Sequence, residues 1–181
     1  MTNYVFLANG FEEIEALTTI DVMRRAGMSV TTVSINPGID VIGAHNVVVK
    51  ADRLITDIDF DNANWLILPG GMPGASNLRA CEPLCEALLR HNSQGKMIAA
   101  ICASPTIILA TLGMLNGKDA TCYPGMENYE YNVNWSNSMV VVNDNIITGR
   151  GPAATTEFAL TIVSLTCGRA VASEVANGML V

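Results

Sequence analysis

Cys102 follows an unbroken apolar run, Met97-Ile98-Ala99-Ala100-Ile101, and Ser104-Pro105 opens a second one, Thr106-Ile107-Ile108-Leu109-Ala110. A buried strand that runs straight into a capped helix must turn sharply at the residue between them. Ser104 is a good N-cap, and Pro105 suits the first helical position, where its missing N–H costs nothing. Cys102 is therefore expected on an elbow, beside the free N–H groups and the positive end of the new helix. Those features lower a thiol's pKa and favour the nucleophilic thiolate. The same strand–turn–helix geometry carries the nucleophile elbow of hydrolase folds, although the G-x-S-x-G motif is absent. The competing reading is a buried structural cysteine.

Glu15 heads the stripe Thr19, Val22 and Ala26, flanked by Ala16, Ile20 and Met23, which is the apolar face of a predicted helix. A carboxyl there is desolvated, so its pKa rises and it can stay protonated, donate to a thiolate and pass protons to substrate. The alternative is an ordinary first-turn acid, the role given to Glu12 and Glu13 in solvent. Pro69-Gly70-Gly71-Met72-Pro73-Gly74 ends another apolar run. It reads either as a tight turn or as backbone N–H groups forming an oxyanion hole, and it matches no phosphate-binding loop. His91, near a predicted helix C-terminus, reads as structural or solvent-exposed, whereas His45, in a predicted hairpin, stays open. Cys81 and Cys85 lack further Cys or His for a metal site and read as packing residues. Cys122 and Cys167 read as core thiols, Cys122 with a second possibility of lying near the site.

The elements that must position these groups alternate β-rich with helical runs, the pattern of a doubly wound α/β sheet. Strands are predicted at Tyr4–Ala8, Val30–Ile35, Trp65–Leu68 and Met97–Ile101, with further candidates at Ala120–Cys122, Met139–Val142 and Ile146–Thr148. Helices are predicted at Glu12–Ala26, Glu82–Asn92 and Ala153–Cys167, and another turn at Val171–Ala176. Asp40–Ile42 with Val47–Lys50 reads as a hairpin. Ligands in such sheets sit beyond the carboxyl ends of the strands, where Asn9–Glu15, Gly70–Gly74 and Cys102–Pro105 should converge. The 181 residues, half of them hydrophobic and 15% charged, suit one compact domain spanning 1–181. Net charge is −7 and no basic cluster exceeds Arg24-Arg25, which disfavours a nucleic-acid binder. No apolar run reaches transmembrane length and no export signal is visible, so a cytoplasmic protein is expected. Five cysteines fit a reducing compartment better than a disulfide framework.

Five ordered segments resemble the ThiJ/PfpI superfamily: Gly10-Phe11-Glu12-Glu13-Ile14-Glu15-Ala16, Asp21-Val22-Met23-Arg24-Arg25-Ala26-Gly27, Leu68-Pro69-Gly70-Gly71, Ala99-Ala100-Ile101-Cys102-Ala103-Ser104-Pro105 and Gly149-Arg150-Gly151-Pro152. The resemblance runs almost end to end, in the branch of the human parkinsonism-associated protein deglycase and the bacterial chaperone YajL. It implies a flavodoxin-like, class I glutamine amidotransferase-like three-layer sandwich, mostly parallel in its central sheet, and a homodimer. By the same resemblance, Cys102 is the nucleophile, Glu15 the protonated acid hydrogen-bonded to it, and the N–H groups of Gly71 and Ala103 the oxyanion site. Gly70, Ser104 and Tyr123 line the substrate position, and His45 is an accessory residue. Neither a metal nor an organic cofactor is implied.

The chain departs from the family pattern in four places. Ala103 stands where the protease branch has His, which disfavours a peptidase or amidohydrolase. Tyr123, in Cys122-Tyr123-Pro124, stands where many relatives carry a shuttle His. Ser104 replaces a Gly of the elbow, and His45 replaces an Arg in the hairpin. The implied activity is glutathione-independent conversion of small reactive aldehydes or glycated adducts, a glyoxalase or deglycase chemistry linked to carbonyl and oxidative stress. The rival is a redox-sensing chaperone with little turnover, in which the same thiol is oxidised.

Overall fold

The computed structural model describes residues 2–181. Strand β1, Thr2–Leu7, shows how the layers arise. Its side chains alternate, Val5 and Leu7 to one face and Tyr4 and Phe6 to the other, and all four are buried. A strand apolar on both sides must be covered on both sides, which gives a helix–sheet–helix sandwich.

The other strands are β2 Val30–Ser34, β3 Asp40–Ile42, β4 Val48–Lys50, β5 Arg53–Leu54, β6 Ala63–Leu68, β7 Met97–Ile101, β8 Asp119–Ala120, β9 Asn134–Trp135, β10 Val140–Asn143 and β11 Ile146–Gly149. Seven form the main sheet in the order β10-β11-β7-β6-β1-β2-β5. Every pairing is parallel except β10 with β11. The helices are α1 Glu13–Arg25, α2 Gly74–Ala80, α3 Glu82–Ser93, α4 Thr155–Cys167 and α5 Arg169–Gly178. One face carries α1, α4 and α5, where Val22, Met23, Phe158, Ile162 and Val175 pack with Val5, Leu7, Trp65, Ile67 and Ile101. The opposite face carries Leu78, Leu84, Leu88, Ile108 and Leu109 against Tyr4, Phe6, Leu66, Leu68 and Ala100.

From β1 the chain winds outward through β2 and then returns to the other side of β1 as β6. That reversal opens a crevice at the carboxyl ends of β1 and β6, the usual ligand position in such sheets. The elbow after β7 lies beside it, one strand further along.

Several predicted elements change. The strand expected at Ala120–Cys122 is displaced to β8, which shares only Ala120 with it and pairs with β9, a strand with no period-2 signal, in a separate two-stranded sheet. Helix α2 replaces part of what the Gly-rich segment suggested was loop, because Gly74 opens a helix there. After the elbow, Pro105–Ala110 is a wide π-helical turn rather than an α-helix. The hairpin of β3 and β4 forms, pairing Asp40 with Lys50 and Ile42 with Val48. Cys167 corrects the expectation of a core thiol. It is exposed at the last position of α4, beyond the buried stripe Phe158, Ala159, Ile162 and Val163.

Candidate active site

Cys102 adopts φ +65°, the left-handed region that non-glycine residues rarely occupy. Two backbone hydrogen bonds hold it there. Its N–H donates to the Gly149 carbonyl at 2.9 Å, and its carbonyl accepts the Tyr123 N–H at 2.9 Å. Strain of this kind persists only where surrounding contacts over-determine it. Ser104 does not cap the following helix, as its sequence position suggested. It is itself helical, and its hydroxyl donates to the Pro69 carbonyl at 2.5 Å, tying the elbow to the loop after β6.

Glu15 enters from α1 and is 1% exposed. Its Oε2 accepts the Gly70 N–H at 2.7 Å, while Oε1 has no N–H or O–H partner. The Cys102 thiol is the other polar group that interacts with this carboxyl. A neutral acid with Oε2 accepting carries its proton on Oε1, where it has no backbone competitor. Burial is the main reason the Glu15 pKa rises from 4.5 to about 7; Cys102 and the Gly70 N–H pull it down, and Glu12 adds a push upward.

Gly70 is required by space. A Cβ there would lie 2.6 Å from the Cys102 Cβ and 2.7 Å from Glu15 Oε2. Gly71 is required by conformation as well, at φ +87° with Gly10 and Glu12 backbone atoms closer than a side chain tolerates. The Gly71 and Ala103 N–H groups interact with the Cys102 sulfur and favour its anion. Burial outweighs them, with the Glu15 charge second, so the Cys102 thiol is pushed up rather than down. This corrects the expectation of an autonomously acidic thiol, because a sulfur buried against a carboxyl pays desolvation that a helix N-terminus does not repay. Below about 7 both groups hold a proton; above it the carboxyl has released its own while the thiol keeps one, and the N–H groups favour the form in which that last proton leaves sulfur.

Glu12 and Glu13 also depart from the expected solvent role, being 8% and 7% exposed. Glu12 is the N-cap of α1, its Oε2 accepting the Glu15 N–H at 2.8 Å, while its own N–H donates to the Gly70 carbonyl at 3.0 Å. Glutamate is not among the residues favoured at an N-cap, so the sequence carried no local signal for this role. Glu13 reaches the hairpin: its Oε1 accepts the His45 N–H at 2.7 Å, and its Oε2 lies 2.8 Å from His45 Nδ1. His45 is thereby turned onto Glu13, with its side chain 74% exposed. Glu12, Glu13 and His45 bring potential metal-ligand atoms within 4.8 Å of one another, but both carboxylates are already engaged by N–H groups. Glu12 caps α1, and Glu13 stitches the hairpin to that helix. His91 is buried and pairs through Nε2 with the Asn64 carbonyl at 3.2 Å, at the amino end of β6 and so at the opposite end of the strands from the elbow. Cys122 is buried beside Thr106.

The sequence matches the DJ-1/PfpI family over residues 1–165. The chain belongs to that family. It is similar to dj-1beta of Drosophila melanogaster, 38% identical over 182 residues that cover 98% of this chain and 95% of the fly protein. DJ-1 homolog B of Arabidopsis thaliana is 37% identical over 175 residues, 96% of this chain and 40% of the plant protein. This chain thus spans less than half the length of that plant relative. Among solved structures, oxidized DJ-1 of Toxoplasma gondii superposes with TM-score 0.92 at 36% identity, covering 99% of this chain and 97% of that one. The three-layer α/β architecture with its mostly parallel sheet is therefore that of the DJ-1/PfpI proteins. Among the described residues, no helix is long and apolar enough to cross a membrane.

Proposed function

We propose that this DJ-1/PfpI chain is a cytoplasmic, thiol-dependent enzyme that converts small reactive 2-oxoaldehydes, and early adducts derived from them, without glutathione. The observation that carries the reading is the pairing of Cys102 with a Glu15 carboxyl poised near 7, under the N–H groups of Gly71 and Ala103. Glu15 takes the thiol proton as sulfur adds to the aldehyde carbon and passes it to the aldehyde oxygen, forming a hemithioacetal. Glu15, now a carboxylate, takes the hydrogen from that carbon and returns it to the neighbouring carbonyl carbon through an enediol. The first carbon is oxidised and the second reduced, so no external oxidant or reductant enters. Water then cleaves the resulting thioester, releasing a 2-hydroxy acid and the free thiol. Gly71 and Ala103 N–H groups hold the negative oxygen at each addition.

The test is methylglyoxal turnover by the wild-type protein and Cys102→Ala. The reading expects lactate from the first and loss of at least a hundredfold in the second; equal rates would remove it. A second reading, a redox sensor with little turnover, is favoured by the oxidised state in which the Toxoplasma relative was solved. Selective oxidation of Cys102 by mild peroxide, without aldehyde conversion, would select it. We also propose a homodimer. Ile14 and Leu17 on α1 and Ile42 and Val48 on the β3–β4 hairpin are apolar and 40–60% exposed, a surface more costly in water than at an interface. Light scattering at twice the monomer mass is expected, and a strict monomer would end this part of the proposal.

A further inference from the structure

Beside the elbow lies a cavity of about 210 Å³ whose walls are Tyr123, Pro124, Met139, Arg150, Gly151 and Pro152, with two alanines behind. Both sides of it hang from Cys102. The Tyr123 N–H donates to the Cys102 carbonyl, and the Cys102 N–H donates to Gly149, the residue before Arg150. The Tyr123 ring lies against Gly151, where a Cβ would meet its Cδ2 at 3.2 Å. The walls are apolar apart from one charge.

That charge is unneutralised. Arg150 donates through Nη1 to the amide oxygen of Asn137 at 2.9 Å, and its backbone N–H donates to Met139. No carboxylate among the described residues forms an ion pair with it. Glu127, the acid that shares Cys122 with Arg150 as a neighbour, is engaged instead by the Gly125 N–H at 2.7 Å. A guanidinium has five donors in a fixed fork that matches a carboxylate, and here most of them are unused.

We propose that this cavity is a subsite for a carboxylate carried by the substrate on a short apolar chain, with Arg150 as the residue that determines specificity. The inference rests on the thiol chemistry proposed above. It narrows the substrate class to aldehydes and 2-oxoaldehydes bearing an acid group, whose methylene carbons lie on Tyr123 and Pro152 while the carbonyl carbon faces the sulfur.

Two alkylating agents of nearly equal shape test it without any turnover. Iodoacetate and iodoacetamide each form an S–C bond to Cys102 with loss of iodide, and differ by one carboxylate. The rates are read at the Cys102 peptide by mass spectrometry, which separates it from exposed Cys167. Arg150→Gln is expected to lower the iodoacetate-to-iodoacetamide rate ratio about fivefold to tenfold, the size of one partly exposed charge-assisted pair. Arg150→Lys, which keeps the charge, should recover most of the ratio. A ratio that stays within about twofold of wild type in Arg150→Gln overturns the subsite and leaves the thiol chemistry standing. If neither agent reacts at Cys102, the thiol chemistry fails and the subsite is judged by butyrate alone. Excess butyrate should then raise the thermal midpoint of Cys102→Ala but not of Cys102→Ala with Arg150→Gln. No shift in either protein overturns the subsite.

Discussion

Replacing Glu15 with Gln should change the way stability depends on pH. In the fold this carboxyl titrates near 7 instead of 4.5, chiefly because it is buried. An acid whose folded value is raised binds its proton more tightly in the folded state. Between 4.5 and about 7 the unfolded chain has released a proton that the folded chain retains, so wild-type stability falls as pH rises through this window and levels off above it. At about 1.4 kcal/mol per pH unit, that interval corresponds to about 3 kcal/mol. Glutamine keeps the shape, can still accept the Gly70 N–H, and has nothing to titrate. Urea unfolding of both proteins at about pH 4.5 and about pH 8 measures the effect, the window being set by the linkage relation. Groups that titrate in both proteins, such as His45 and Asp52, cancel in the double difference. Wild type should lose about 2–3 kcal/mol more than the variant between the two conditions. Parallel stability profiles would refute the buried neutral carboxyl and, with it, the proton relay between Glu15 and Cys102.

At the elbow itself, Cys102→Gly should be more stable than Cys102→Ala by about 1 kcal/mol in urea unfolding, because only glycine accepts φ +65° without penalty. Equal stability would mean the loop relaxes out of the left-handed region. Gly70→Ala should depress aldehyde turnover at least tenfold while the protein still folds at low temperature, since its methyl would displace the Glu15 carboxyl from Cys102; unchanged kinetics would show that the contact is dispensable. The His45 pKa is raised, first by its hydrogen bond to Glu13 and then by that charge. An NMR titration should therefore give a midpoint above 6.5 that returns toward it in Glu13→Gln. The stabilisation from this pair is present below 6.5 and lost as pH rises through the folded value. A midpoint that ignores Glu13 would break the link between hairpin and helix.

Much of this was legible in the residue order, and the reason is periodicity. Apolar runs marked β1, β6 and β7, since a sheet covered on both faces demands continuous hydrophobic strands, β-branched residues marked β2, and apolar periodicity marked the long helices. The same logic placed Cys102 at a strand end and Glu15 at the head of a buried stripe, and both are buried. The short β9, held by edge contacts alone, left no such trace.

The chain order by itself determined which residues could meet, because strand ends in a doubly wound sheet share one rim. Only the tertiary structure decided what they do to one another. The acidity of Cys102 depends on how deeply it and Glu15 are withdrawn from water, a property of packing around both and not of either segment. Glu12 and Glu13 read as solvent acids until the hairpin and the Gly70 loop closed over them. Arg150 faces an apolar wall only because the fold brings Tyr123 and Met139 beside it. Charge and exposure are set by neighbours distant in sequence, so no local pattern encodes them.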